Sequence, residues 1–408
     1  MPAPLALFQL VSDEAMPNLA AMLALHPARV HHLVTPPVAA RSDSLIRVGR
    51  QFPSPPEFHR DDLSPMPSIA EVEGTLARAL RATVSRGMTP VINFTGGAKL
   101  MSIGAWRAAQ TAKAVSLYVD TQHACFRDGG TAPGLETLLG GDLSFHRLRA
   151  ALAVDHIVVA NGCPRMTGGR DLEPFAPLAR HLLAHPDEER ALWEAIHGPR
   201  GLCPQGREPR DAAGWRRLLE TPLHLPPATA AHAVNAGLLI ARNAQVVLEE
   251  PEGFRALATR SAPMPAGDFF RAVRPLQFAI SFLSGGWWEV AVGLAVRAHA
   301  GFRDLRWSVD TGHKTPGGSV EEDLVAVDGI QLVHISCKRG GHRAGLFRAL
   351  DEEAATAARL GGRFTRKFLA VNLPIQGRIS SFLRQRAQEL RVRILAPADL
   401  SSSEAFTA

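Results

Sequence analysis

The first 160 residues alternate short apolar runs with longer amphipathic segments. The runs PLALFQLV, RVHHLVTP, PVINFTGG and AVSLYVDT are typical of buried strands, and MPNLAAMLALH, SIAEVEGTLARALRATV and KLMSIGAWRAAQTA are typical of helices. This alternation predicts an α/β fold over residues 1–160, a Rossmann-like, doubly wound parallel sheet. Ligands of such sheets bind outside the carboxyl ends of the strands, and residues 12–14 and 94–99 lie at two of those ends.

Two further regions follow this α/β unit. Residues 165–265 combine helical segments with Gly- and Pro-rich breaks, which predicts a small helical or winged-helix connector. A structural role of this connector is favoured over sequence recognition of DNA. Residues 266–408 are expected to form elements in the order α-β-β-α-β-α-β, the order that a restriction-endonuclease-like α/β domain needs.

Composition limits the environment and the partners. The formal charge of +6 and the pI near 9.6 permit a polyanionic partner without requiring one. The four cysteines are scattered with no CxxC pair, so a zinc site or disulfide scaffold is not indicated and a cytoplasmic location is expected. The sequence shows neither a basic, apolar leader nor an uninterrupted apolar run long enough to span a bilayer, so no membrane partner is expected.

Lysine is rare in this chain. Only five of its 45 basic residues are lysines, so arginine serves almost wherever a generic cation suffices. Lysine supplies a compact charge whose pKa burial can shift, which arginine does not. Lys99 and Lys338 fall within the two candidate sites described next.

The C-terminal region carries a candidate metal-dependent hydrolytic site. The run DLVAVDGIQLVHISCK reads as two strands joined at Asp328-Gly329, which brings Asp323 near Lys338. Ser336 and Lys338 are two residues apart and share a strand face. Glu289, on the preceding helix, is placed to complete a cluster that could hold Mg²⁺ or Mn²⁺.

The neighbours of this cluster are expected to play lesser roles. Glu321 and Glu322 are expected to be exposed, and the side chains of His334 and Cys337 are expected to pack in the interior.

The N-terminal region carries a candidate phosphate site. VINFTGGAKLMSIGAW predicts a strand, a Thr-Gly-Gly turn and the start of a helix, with Lys99 in its first turn. Amides at a helix N-terminus bind anions, and paired glycines allow a phosphate to approach closely. Neither GxxxxGK[ST] nor GxGxxG is present, which disfavours NTP hydrolysis and dinucleotide redox chemistry.

The C-terminal pattern resembles the PD-(D/E)xK nucleases. The resemblance gives Glu289, Asp323, Ser336 and Lys338 as catalytic positions, and Glu289, Asp323 and Cys337 as positions that hold Mn²⁺ or Mg²⁺. One position departs from the pattern, because Ser336 stands where an acid is usual two residues before the lysine. A hydroxyl brings no charge, so the departure bears on metal affinity and on activity.

Taken together, N-F-T-G-G-A-K-L-M, the SDE-x-MPN segment and the D…S-C-K combination resemble the CARF-domain nucleases of type III CRISPR antiviral defence. The resemblance implies a CARF sensor at residues 1–160 and a nuclease domain at 266–408. It also implies a homodimer that binds a cyclic oligoadenylate, with cyclic tetra-adenylate the expected ring. The positions that the resemblance assigns to ligand binding are Ser12, Asp13, Met16, Thr95, Gly96, Gly97 and Lys99.

The expected output is metal-dependent cleavage of DNA or RNA, on single-stranded or nicked substrates. Two alternatives stay open. One is a ligand-responsive transcription regulator that reads DNA with the connector, and the other is a catalytically inactive effector marked by Ser336. Ring size, the preferred nucleic acid and the preferred metal are not fixed by the sequence.

Overall fold

The computed structural model describes residues 3–204, 208–209, 211–243, 245–258, 266–299, 301–315, 318–340, 343–372 and 378–406. Two six-stranded sheets dominate these residues, one in each half of the chain. The connecting region is mainly helical, with a two-stranded sheet of its own.

The N-terminal sheet has the doubly wound topology that the sequence predicts. Its strands are β1 (Leu5–Leu10), β2 (Arg29–Val34), β3 (Glu57–Asp62), β4 (Thr89–Asn93), β5 (Val115–Asp120) and β6 (Cys125–Asp128). They lie in the order β3-β2-β1-β4-β5-β6, and all pairs are parallel except β5 with β6. The order reverses between β1 and β4, which makes this gap the switch point at which such sheets bind ligands.

Helices cover both faces of this sheet. They are α1 (Met16–Leu25), α2 (Ala39–Gly49), α3 (Ile69–Ser85), α4 (Lys99–Ala112), α5 (Leu135–Leu138) and α6 (Val154–Ala160). Ser68 caps the N-terminus of α3, because its hydroxyl accepts a 3.1 Å hydrogen bond from the Glu71 amide. The helix then buries Val72, Leu76 and Leu80, spaced one turn apart, against the sheet.

The first strand of the connecting region belongs to the C-terminal sheet. The chain forms β7 (Thr167–Arg170), and β7 pairs with the C-terminal sheet. The elements that follow are α7 (Ala176–Ala184), α8 (Pro186–His197), α9 (Ala212–Leu219), α10 (Pro227–Asn235), β8 (Leu239–Arg242), β9 (Gln245–Leu248) and α11 (Glu252–Ala258). Two helices followed by the antiparallel β8–β9 pair form the order of a winged helix.

The C-terminal half begins with two helices, α12 (Ala266–Ser281) and α13 (Trp287–Ala298), joined by a π-helical turn at Phe282–Gly286. The remaining elements are β10 (Phe302–Thr315), β11 (Gly318–Asp328), β12 (Gln331–Lys338), α14 (Arg343–Gly361), β13 (Arg366–Val371), α15 (Arg378–Leu390) and β14 (Val392–Leu395). The sheet order is β14-β13-β12-β11-β10-β7. The predicted element order omitted β10, so the half has one more strand than the sequence indicated.

The helical stretch 267–298 is apolar enough to cross a membrane by length and composition alone, with a mean hydropathy of 1.4. Among the described residues it is one such helix, and 61% of its apolar window is buried inside the protein. Its side chains Trp287, Trp288 and Val292 belong to the core beneath the C-terminal sheet. We therefore interpret it as a core helix.

The two halves share one core. Val325, Val327 and Leu332 of the C-terminal sheet pack in the same apolar cluster as Leu7 and Met22 of the N-terminal half. Polar contacts reinforce this junction: the Asp304 carboxylate accepts a 2.7 Å hydrogen bond from the Val154 amide at the start of α6. The N-terminal and C-terminal halves are thus packed against each other along the α6 side of the C-terminal sheet.

Candidate functional site

The β11–β12 hairpin places the predicted acid and lysine together. The two strands pair from Asp328↔Gln331 to Leu324↔Ile335, and Gly329 occupies the turn with φ of 59°. Regular pairing stops at Leu324, and there the Asp323 carboxylate accepts a 2.6 Å hydrogen bond from the Cys337 amide. The Lys338 Nζ lies 3.9 Å from the same Asp323 oxygen.

Glu289 completes the cluster from the first turn of α13. Its Oε2 accepts a 2.8 Å hydrogen bond from the Trp307 indole of β10, which fixes the carboxylate. Burial raises the pKa of Glu289 to about 8, and the nearby charge of Asp323 contributes to the rise. Burial likewise raises the pKa of Asp323, while Lys338 opposes that shift. Two partly buried carboxylates that repel each other favour a bound cation, and such oxygen donors suit Mg²⁺ or Mn²⁺.

The remaining two predicted positions contribute differently. The Ser336 hydroxyl lies 3.4 Å from an Asp323 oxygen, so it is next to the cluster but brings no charge to it. Burial raises the pKa of the Cys337 thiol well above its usual value, so this thiol stays protonated. A protonated thiol does not fit a hard divalent cation, and position 337 retains only its main-chain oxygen as a suitable donor.

A cavity of about 590 Å³ opens beside Glu289. Four acidic residues and two arginines line it: Glu208, Glu289, Asp310, Glu321, Arg170 and Arg274. Carboxylates attract a metal ion and arginines bind phosphate oxygens, so the lining suits a metal-bound phosphodiester. Sequence reasoning missed Arg170 because β7 reaches this sheet only through a pairing with the distant β10.

A buried ionic network lies behind the cluster, where the sequence predicted simple packing. His334 is buried with Nδ1 2.7 Å from Glu353 and Nε2 3.0 Å from Glu322, and Arg359 lies 3.4 Å from Glu322. Burial alone would lower the pKa of His334, but the two carboxylates raise it to about 10. The expectation that Glu322 is exposed was wrong, because it turns inward to bind this imidazolium; Glu321 is exposed as expected.

The second candidate site lies at the switch point of the N-terminal sheet. A cavity of about 560 Å³ there is lined by Ser12 and Asp13 after β1 and by Gly97 after β4. Gly96 allows the two loops to approach, because a Cβ at this position would lie 2.2 Å from the Leu10 carbonyl oxygen. Lys99 is exposed at the first position of α4.

Two other predicted ligand residues support this site from behind. The Thr95 hydroxyl donates to the Asn93 side chain at 2.7 Å and accepts from the Val119 amide at 2.7 Å, which ties the turn to β5. The Met16 side chain is buried in the core under α1 and does not line the cavity. The structure therefore places Thr95 and Met16 as supports of the turn and the loop.

No protein-family model matches the chain, and no curated protein matches it in sequence. Solved structures match it over nearly its whole length. Protein VC1899 from Vibrio cholerae has 13% identity and a TM-score of 0.71, covering 98% of this chain and 96% of that one. Can2 from Sulfobacillus thermosulfidooxidans, solved in complex with cyclic tetra-adenylate, has 18% identity and a TM-score of 0.64, covering 98% and 95%.

A third match is a type III CRISPR defence DNA nuclease activated by cyclic oligoadenylate. It has 19% identity and a TM-score of 0.54, and the match covers 93% of this chain but only 47% of that longer one. At such identities the likeness shows the fold. The chain therefore shares the fold of these proteins across both halves, which confirms the predicted α/β fold class and the fold-level resemblance to CARF-domain nucleases.

Proposed function

We propose that this chain is a cyclic-oligoadenylate-activated, metal-dependent nuclease of type III CRISPR antiviral defence, acting in the cytoplasm. The observation that carries the proposal is the meeting of Glu289, Asp323 and Lys338 beside a cavity lined by both carboxylates and arginines, in a chain that shares the fold of Can2. The four free cysteines agree with a reducing compartment.

Each group in the nuclease cluster has a chemical task. Asp323 and Glu289 would hold Mg²⁺ or Mn²⁺, which when bound supplies an acidified water and neutralises charge on the phosphate. Lys338, beside Asp323, would position the attacking water or a phosphate oxygen. Arg170 and Arg274 across the cavity would bind the phosphates of a single-stranded or nicked substrate, DNA or RNA.

The sensor cavity supports a cyclic oligoadenylate as the activator and a homodimer as the working assembly. Ser12, Asp13 and Gly97 line the cavity, and Lys99 at the start of α4 lies between the lining residues Ala98 and Leu100 and would meet phosphates of the ligand. Large apolar side chains around it, Met66, Leu100 and Ile103, are exposed in the single chain. A second copy would cover such side chains, and a two-fold ring such as cyclic tetra-adenylate suits a two-fold dimer.

A contact between the halves offers a route from ligand to nuclease. Glu14 follows the two cavity residues Ser12 and Asp13, and its carboxylate lies 3.3 Å from Arg363, just beyond the end of α14. The same helix carries Glu353 and Arg359 of the network behind Asp323. A ligand that moves the residue 12–14 loop would therefore act on the helix that packs behind the nuclease cluster, shifting the population of working nuclease pairs.

The direct test is to incubate the purified protein with Mn²⁺ and labelled single-stranded DNA and RNA, with and without cyclic tetra-adenylate. Cleavage that depends on both metal and ligand is expected. If neither nucleic acid is cleaved in a ligand-dependent way, the proposal is wrong.

Lys99→Gln is expected to weaken binding of cyclic tetra-adenylate by about 10-fold to 100-fold, since a charge-assisted hydrogen bond contributes roughly 1.5–3 kcal/mol. Equilibrium binding of a labelled ligand measures the change. Lys113→Gln is the matched control, because Lys113 caps the opposite end of the same helix. Equal weakening by both substitutions would show that net charge alone, and no phosphate contact at Lys99, governs the affinity.

An inactive effector is the second candidate, and the observation that favours it is Ser336. We expect Ser336→Glu, which adds a carboxylate beside Asp323, to tighten Mn²⁺ binding by at least about tenfold. The maximal cleavage rate should change by less than about tenfold if the native cluster is competent. Ser336→Gln matches the size without the charge. Appearance of cleavage only in the Glu variant would establish the inactive effector.

A further inference from the structure

A third group of donor side chains lies away from both sites, at the outer edge of the N-terminal sheet. His31 is on β2, and His59 and Asp61 are on the edge strand β3. The register pairs His31 with His59 and Leu33 with Asp61. Residues two apart in a strand share a face, so the pairing brings all three side chains together. One nitrogen or oxygen donor from each residue lies within 4.8 Å of the others.

The spacing within this group suits a metal ion better than a hydrogen-bond network. Asp61 Oδ2 is 3.4 Å from His31 Nδ1, and Asp61 Oδ1 is 3.4 Å from His59 Nε2. Hydrogen bonds between such groups usually measure about 2.7–3.2 Å. Adjacent donors around a tetrahedral ion with bonds of about 2.0–2.1 Å lie roughly 3.3–3.5 Å apart. Both separations match the spacing of neighbouring ligands around a zinc-type ion.

The surroundings fix the His31 side chain and leave the His59 side chain exposed to solvent. The His31 ring is buried and stacks on Phe8 with centroids 4.4 Å apart, so its position is fixed. Its Nε2 is buried with no hydrogen-bond partner in the described part of the chain. The His59 side chain is 57% exposed, which leaves room for water as a further ligand.

We propose that His31, His59 and Asp61 bind a divalent transition ion of the Zn²⁺ class, with water as the fourth ligand. The site is separate from the nuclease cluster and does not depend on the function proposed above. The ion would tie the edge strand β3 to β2, and β3 leads within a few residues to Pro65 and Met66, which line the sensor cavity. The site would therefore steady one wall of that cavity.

The test uses the full-length chain carrying Asp323→Asn, which removes the central acid of the nuclease cluster, after chelation and desalting. Zn²⁺ is added in a calorimetric titration, and Co²⁺ in a parallel titration followed by visible absorption. We expect a single Zn²⁺ per chain and the intense spectrum of tetrahedral Co²⁺. Adding His59→Asn or Asp61→Asn should weaken binding by at least about tenfold, since even outer-shell partners of metal ligands contribute that much.

The matched control is His123→Asn. The His123 side chain is 59% exposed, nearly the same as His59, and it pairs with Asp120 at the other end of the sheet. This variant should bind Zn²⁺ as the parent does. The proposal is overturned if Zn²⁺ does not bind, if binding is unchanged by both His59→Asn and Asp61→Asn, or if His123→Asn weakens it equally. Because His59 is exposed, its replacement leaves the core intact, and an unchanged thermal midpoint without metal checks this.

Discussion

Asp323→Asn is expected to lower metal-dependent cleavage by at least about 10³-fold, because a lost metal ligand removes roughly 4 kcal/mol or more of transition-state stabilisation. Asparagine keeps the size of the side chain and one oxygen that can accept the hydrogen bond from the Cys337 amide. The fold should therefore survive while the charge is lost. Single-turnover cleavage with Mn²⁺ and cyclic tetra-adenylate measures the effect.

The matched control for that substitution is Asp328→Asn, at the C-terminal end of the same strand. Asp328 pairs with Arg366 and lies outside the cluster, so its loss should leave the cleavage rate within a few fold of the parent. Binding of cyclic tetra-adenylate should be unchanged in both variants, which separates loss of chemistry from loss of fold. Retention of cleavage by Asp323→Asn would remove this residue, and the assigned cluster with it, from the mechanism.

His334→Ala is expected to lower the free energy of unfolding by about 3–5 kcal/mol, the usual cost of removing one partner from a buried ionic network. The substitution leaves the buried carboxylates of Glu322 and Glu353 without their shared imidazolium. Urea denaturation at neutral pH, followed through the shift in midpoint, measures the loss. Asp351→Ala, which breaks an exposed pair with Arg386, is the control and should change stability little.

The pH dependence of this loss has a definite sign. The folded pKa of His334, about 10, lies above its ordinary value of 6.5, so its protonation stabilises the folded state. That contribution is fully present below pH about 6.5 and is lost as the pH rises towards about 10. The difference between parent and His334→Ala should shrink over this window. A difference that stays constant from pH 6 to about 10 would show that the stability comes from the packing of His334 and that its charge does not contribute.

The sequence was informative wherever local patterns carry the structure. Regular alternation over the first 160 residues predicted the parallel sheet, and the loops after β1 and β4 were found at the switch point where the pattern placed them. The Asp328-Gly329 turn likewise predicted the hairpin that carries Asp323 and Lys338. In these cases a single turn, or a single regular spacing of apolar residues, is enough to predict the structure.

Long-range pairing explains most of what the sequence did not reveal. The strand β10 alternates apolar and polar residues only over 305–310, and the left-handed Asp304 accompanies a register irregularity in its pairing with β11. The strand β7 consists of the exposed run TGGR. This run is identified as a strand by its pairing with β10 and by no feature of its sequence. The strand β7 cannot be recognised from a local pattern, and residues of both strands line the cavity beside Glu289.

The buried charged groups are the other feature that the sequence did not predict. Glu322 sits in an acidic run that reads as a solvated turn, and His334 lies in an apolar strand that reads as packing. Their meeting depends on the pairing of β11 with β12 and on Glu353 of α14, which lies 19 residues after His334 in the chain. A single sequence contains no local signal for such a network.

The apolar cluster common to both halves limits how this protein can be rebuilt by recombination. Val325, Val327 and Leu332 are covered by the N-terminal half, so a chain cut near residue 160 would expose them to water. A foreign sensor grafted onto this nuclease half would have to present a complementary apolar surface, and also an acid in the place of Glu14. Modular exchange of input domains is therefore constrained by packing as well as by ligand chemistry, and the two halves are expected to change together in evolution.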